Sequence, residues 1–305
     1  MNFDLTWWIA FNVAIVVLLL LDIAFLHKPN EKMPSRKALG LSAMWIALAL
    51  MFAGFLHLCK GPSESLEFLT GFVIEKSLSI DNLFVFLLIF QFFKVPEVYR
   101  YRILMWGILG ALLIRLVFII VGITLIQSAH WILYVFGVFL VITGVSLLKK
   151  QDRQIDFQKN MLITILKKWM PITSDWSSGK FFVKINSIVH ATPLFVTLLV
   201  IESTDVIFAL DSIPAVFAIT LDPFIVYSCN ALAILGLRPL FFVLQNLHSY
   251  FNLLHYGVCT VLIFVGLKML LTPFFVIPTL VSLTIVTTIV LGSILLSYRA
   301  KRDYK

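Results

Sequence analysis

The sequence predicts an all-α protein, a polytopic transmembrane helical bundle of about nine spans, and three observations carry that expectation. Of its 305 residues, 60% are apolar and 13% are charged, where a soluble chain carries about 25% charged residues. Its mean hydropathy is +0.99, and runs of about the 20 apolar residues needed to cross a hydrocarbon core recur along the chain. The Lys and Arg residues behind the net charge of +8 fall in short segments between those runs. That is the distribution of an orientation signal rather than of a nucleic-acid surface.

Nine segments are long enough to span: 5–26, 38–58, 67–93, 102–127, 131–148, 190–218, 223–244, 250–271 and 275–297. Alternate connections are basic. Lys28, Lys32, Arg36 and Lys37 follow the first span, and Lys94, Arg100 and Arg102 follow the third. Lys149, Lys150, Arg153, Lys159, Lys167, Lys168, Lys180 and Lys184 fall in the segment 149–189, and Arg299, Lys301, Arg302 and Lys305 in the tail. The opposite connections hold Lys60 alone or no basic residue. Basic segments stay in the cytoplasm, so the amino terminus is expected outside and the carboxy terminus inside. The amino terminus lacks the basic stretch of a signal peptide, so the first run reads as a retained span.

Residues 1–305 thus form a single transmembrane domain with one cytoplasmic loop at about 149–189. Within that loop Met161–Met170 reads either as a short amphipathic helix on the inner leaflet or as a solvated linker. Cys59, Cys229 and Cys259 have no metal-ligand spacing, nor have the six histidines, which argues against zinc. No nucleophile–base pair, cofactor motif or ATP-binding segment is visible, so neither an enzyme nor a cofactor is expected.

The exceptional residues are acids inside the spans. Span three holds Glu75, Lys76 and Asp81; span six holds Glu202, Asp205 and Asp211. A charge at the centre of a spanning helix costs about 2.5–3.5 kcal/mol on the insertion scale. Arg115 in span four and Arg238 in span seven, with Lys76, can neutralise three of the five acids, which leaves about two negative charges. Two such carboxylates take up protons or bind cations. Their neighbours Ser79, Asn82, Ser203, Thr204, Ser212 and Asn230 are also oxygen donors, which suits magnesium, calcium or manganese better than zinc or copper. Pro214 withholds a donor from the Leu210 carbonyl, so a break in span six near Asp211 is expected.

The acidic spans look like copies of each other. SIDNLF at 79–84 lies over STDVIF at 203–208, which places Asp81 on Asp205. Gly110 to Arg115 then corresponds to Gly236 to Arg238, and GVFLVITG at 137–144 to GVCTVLIFVG at 257–266. The three-helix units, about 67–148 and 190–271, run in opposite directions, which is the inverted repeat of secondary transporters.

The stretches EKSLSIDNLFVFLLIF, WGILGALLIR and ESTDVIFALDSIPAVFAITLDPFIVYSCNALAILGLRPLFF resemble the TerC family of integral membrane proteins, in particular its Alx-like bacterial branch. The resemblance runs from span one to span nine; Cys229 and Pro239 depart from it, standing where small polar residues are expected. It is a family named for tellurium resistance whose members are associated with manganese export and homeostasis. The resemblance therefore implies a bacterial cytoplasmic membrane and Mn2+ as exported substrate. It implies Glu75, Asp81, Glu202, Asp205 and Asp211 as the acidic motif, with Asn82 in the same motif and Arg115 and Arg238 in support.

The resulting expectation is a divalent cation transporter, possible coupling being to protons. Asp81, Asp205 and Glu202 would be central ligands, with Glu75 and Asp211 nearer the outer side. A calcium or general divalent exchanger, and a membrane assembly or metalation factor, are the rival readings.

Overall fold

The computed structural model describes residues 5–21, 34–129, 131–149, 170–173, 176, 179–247, 254–275 and 277–302. Over these the chain forms α1 (Leu5–Leu21), α2 (Ser35–Cys59), α3 (Pro62–Phe92), α4 (Glu97–Ser128) and α5 (Ile132–Lys149). A hairpin of β1 (Phe182–Ile185) and β2 (Ile188–Ala191) follows. The chain then continues through α6 (Pro193–Phe217), α7 (Pro223–Leu235), α8 (Leu237–Leu247), α9 (Leu254–Leu271) and α10 (Thr279–Arg302). It is an all-α polytopic membrane protein, with five helical segments long and apolar enough to cross a bilayer, one of them Pro223–Gln245 over α7 and α8 together, and three shorter apolar helices among the described residues.

The sequence sets most helix ends by simple means. Pro62, Pro193 and Pro223 each stand in the first turn of their helices, where no intrahelical N–H is needed. Asp222 caps α7, its carboxylate accepting from the backbone N–H of Phe224 at 2.9 Å and of Ile225 at 3.2 Å. Apolar side chains on α1, α2, α4 and α10 such as Val13, Met51, Leu113 and Leu295 face outward, as the lipid-facing shell of a bundle must. α7 is the opposite case: every residue from Phe224 to Leu235 is buried. It is the axis around which the site is built.

The elements differ from the expected ones in three details. Span six is not broken near Asp211: α6 runs on through Pro214 to Phe217. Pro214 falls in the last turn, where one missing bond does not stop the helix. Span seven is divided instead, with α7 ending at Leu235 and α8 starting at Leu237 around Gly236. The cause is Pro239. It has no N–H for the carbonyl of Leu235, but it is tolerated in the first turn of a helix that starts afresh.

Third, the segment 149–189 ends in β structure. Asn186 and Ser187 take positive φ angles of 49° and 65°, and Ile185 pairs with Ile188, which is a two-residue hairpin turn. Span six accordingly starts at Pro193 rather than at 190. The amphipathic reading of Met161–Met170 lies outside the described residues but for Met170.

Helix pairing follows a pattern. α5 and α9 form the most extensive helix pair, α4 lies along α6, and α7 lies along α3. Lipid offers no hydrophobic driving force between helices, so close approach depends on small residues. At the α5–α9 crossing, a Cβ on Gly266 would stand 2.7 Å from the carbonyl oxygen of Gly137.

Candidate functional site

The site is organised by one side chain. Arg115 lies in α4 with 1% of its surface exposed. It forms an ion pair with Glu75 of α3, and its Nη1 donates to Oδ1 of Asn230 in α7 at 2.5 Å. Its Nε lies 3.8 Å from Oδ2 of Asp205 in α6, within ion-pair range but too long for a hydrogen bond. Four helices therefore meet on one guanidinium, whose planar fork of donors suits several acceptors at once.

Glu75 is fully buried and Asp205 nearly so. Two carboxylates face one guanidinium, so the cluster carries a surplus negative charge if both are ionised, and burial makes that surplus costly. Several buried oxygens on α3 and α6 have no hydrogen-bond partner among the described residues: Glu75 Oε2, Ser79 Oγ, Glu202 Oε2 and Ser212 Oγ. Buried polar groups are nearly always partnered, so these oxygens leave capacity for a further ligand.

Glu202 sits one turn from Asp205 on α6 and rests its carboxylate on the α carbon of Gly110 in α4. Beside Asp205 is a cavity of about 20 Å³, bordered by Arg238 and by Leu83, Phe86, Ile108 and Ile234. That is room for about one water molecule, or for an ion stripped of most of its shell.

The sequence-predicted residues divide as follows. The structure brings Glu75, Asp205, Arg115 and Asn230 together, with Glu202 close by on α6. Glu75 and Asp205 share one guanidinium, that of Arg115. Asn82 is buried on α3. The hydroxyls of Ser203 and Thr204 donate to carbonyls of the preceding turn, each at 2.7 Å. Asp81 and Asp211 lie in helical backbone, but their side chains fall outside the described residues. Among the described residues, no three His, Cys, Asp or Glu side chains form a ready-made metal cluster.

The other two cations of the spans are placed as follows. Arg238 lies over the ring of Tyr101 at 4.6 Å and takes the Tyr101 hydroxyl as hydrogen-bond partner at 3.1 Å. Lys76, expected to neutralise an acid, donates instead to the carbonyl of Ala233 at 3.2 Å. Neither Tyr101 nor Ala233 stands out in the sequence as a partner for a cation. For Ala233 a signal is present in Gly236 and Pro239, two helix breakers in an otherwise apolar span.

Outside the spans, Asp222 has a carboxyl raised above its usual range. Burial is the larger cause, and its two backbone N–H donors pull the other way.

Known proteins share this architecture's sequence over nearly its whole length. An uncharacterized membrane protein of Myxococcus xanthus is 41% identical over 290 residues, covering 95% of this chain and 91% of the relative. One of Rickettsia bellii is 40% identical over 290 residues, covering 95% and 96%. The protein named "Putative membrane-bound redox modulator Alx" in Escherichia coli is 39% identical over 288 residues, covering 92% and 90%. No solved structure matches the chain. Residues 60–305, which hold the four-helix cluster on Arg115 and its carboxylates, match the integral membrane protein TerC family, and the chain belongs to that family.

Proposed function

We propose that this chain transports a divalent cation across the bacterial cytoplasmic membrane, with Mn2+ exported from the cytoplasm as its substrate. The observation that carries the reading is the buried cluster of Glu75, Asp205 and Arg115, in which two carboxylates share one guanidinium beside unsatisfied oxygens. A dication supplies the charge the cluster lacks, and the donors are all oxygens, which suits a hard ion. Manganese, and the outward direction, rest on the family resemblance.

The distances assign roles. Glu75 is in close contact with Arg115, while Asp205 is held only at 3.8 Å. Asp205 is thus the acid able to change partners, and Glu75 holds the guanidinium in place. A cation arriving beside Asp205 takes Asp205 and Glu202, with Asp81 as a third ligand on the sequence reading alone, and Arg115 stays on Glu75 and Asn230. When the ion leaves, Asp205 returns to Arg115, or a proton takes the ion's place.

The helix pairing supports an inverted repeat. Exchanging α3 with α6, α4 with α7 and α5 with α9 turns the α4–α6 contact into the α7–α3 contact and leaves α5–α9 unchanged. Rocking one unit against the other about that axis would alternate access. The basic connections support an outside amino terminus and a cytoplasmic carboxy terminus.

The test is manganese flux in proteoliposomes under an imposed pH gradient, for the wild type and for Asp205→Asn. Flux in the wild type that falls at least tenfold in a folded Asp205→Asn is the expected result. Wild-type flux from Asp205→Asn would overturn it in favour of an assembly factor. Equal competition by Ca2+ would replace manganese export with general divalent exchange, since both ions take carboxylate oxygen.

A further inference from the structure

Lys76 is the charged group that the transport reading leaves without a role. Adjacent residues on a helix point about 100° apart. Glu75 therefore turns towards α4, where it meets Arg115, while Lys76 turns towards span seven. What it meets there is the interruption between α7 and α8. The last carbonyls of a helix have no intrahelical donor. Every residue of α7 from Phe224 to Leu235 is buried, so bulk water does not satisfy them.

Two features concentrate acceptor oxygens at this point. Pro239 has no N–H to offer Leu235, and Ala233 accepts from Lys76 Nζ at 3.2 Å. The place of the ammonium is shaped as well. A Cβ on Gly236 would stand 2.6 Å from Nζ, so the glycine opens the space it occupies, and Trp45 closes the same spot, its Cβ 3.2 Å from that position. Discontinuous helices in secondary transporters use carbonyls at such ends to coordinate monovalent cations. An ammonium meets the same oxygens by hydrogen bonding, with its charge in the same place.

We propose that the interruption of span seven is a monovalent-cation site whose resident occupant is the ammonium of Lys76, tethered where a free sodium or potassium ion would otherwise bind. The site stands on Lys76, Ala233 and Gly236; only its bearing on transport rests on the reading above. With the tethered cation in place the protein needs neither Na+ nor K+ for stability. Removing the ammonium leaves the Ala233 carbonyl without this donor and the space beside Gly236 vacated.

The experiment is thermal unfolding of the purified full chain in detergent, without manganese, in NaCl, KCl or choline chloride at equal ionic strength. The wild type is expected to melt at one temperature in all three salts. Lys76→Met is expected to melt lower in choline chloride and to recover several degrees in NaCl or KCl, in a saturable manner. Lys76→Ala, which leaves more room, is expected to respond in the same way.

A variant that stays folded only in NaCl or KCl supports the proposal. Variants that melt alike in all three salts overturn it, as do variants that fail to fold in every salt, and so does a wild type that responds as the variants do. Since no transport is measured, a failure here leaves the flux experiment untouched, and a wild type without manganese flux leaves this site standing.

Discussion

The carboxylate of Glu202 rests on the α carbon of Gly110, in contact so close that any side chain at that glycine would displace it. In the inverted repeat proposed above, the relationship has a counterpart. There the ammonium of Lys76 occupies the space beside Gly236, the glycine that corresponds to Gly110 in the second repeat. In each case a charged group from the first helix of one unit enters a notch in the second helix of the other. The charges are opposite, which makes the two halves chemically unequal although they are paired alike.

Gly110→Ala tests whether the notch serves the site or only the packing. The methyl group meets the end of a flexible side chain rather than backbone, so Glu202 must move. Overpacking of this kind costs about 1–3 kcal/mol, and the low end applies where the neighbour can give. Manganese flux is expected to fall at least tenfold while the melting temperature changes little, which parallel flux and thermal-unfolding measurements would show. Unchanged flux would remove Glu202 from the ion's path.

Arg115→Met leaves Glu75 and Asp205 facing each other without a cation. Removing one partner of a buried pair costs about 3–5 kcal/mol. The melting temperature is expected to fall steeply, and a second change, Glu75→Gln, is expected to restore part of it, because residues in one network are not additive. A double variant no more stable than the single would show that Glu75 is not the principal partner.

Gly266→Leu probes the α5–α9 crossing, which lies outside the Arg115 cluster. Its side chain would strike the carbonyl of Gly137 and Val141, whose Cγ2 lies 2.8 Å from the Cβ position. Backbone cannot give as a flexible tail can, so destabilisation at or above the upper end of about 1–3 kcal/mol is expected. Thermal unfolding is the measurement, and wild-type stability would mean the helices do not approach this closely.

Asp222 gives a pH dependence of known sign. Its carboxyl is raised on folding, so the folded chain holds the proton more tightly than the unfolded chain does. The stability that this proton contributes is present at low pH. It is lost as pH rises from the unfolded value of about 3.9 through the raised folded one. Asp222→Asn keeps a capping oxygen and is expected to remove that slope, whereas Asp222→Ala is expected to lose about 1 kcal/mol of cap as well. Melting temperatures of the three proteins from pH 3 upward would show it, and an identical slope in Asp222→Asn would assign it to another group.

Much of this protein is legible in its amino-acid sequence. Hydropathy, the spacing of basic connections and acids at membrane depth are local properties of composition, so the helical bundle and the acidic helices can be read from the chain directly. Gly110, Gly236, Arg115, Asn230 and the five acids all stand out because polar or small residues are rare in so apolar a sequence.

What the tertiary structure alone decided is which of them meet. Glu75 and Asp205 share Arg115, and Lys76 goes to Ala233 rather than to an acid. Each outcome depends on which helices are neighbours and how they are rotated about their axes. In lipid that choice is made by close packing at small residues and by satisfying every buried polar group, conditions that belong to pairs of distant segments and not to any one stretch of sequence.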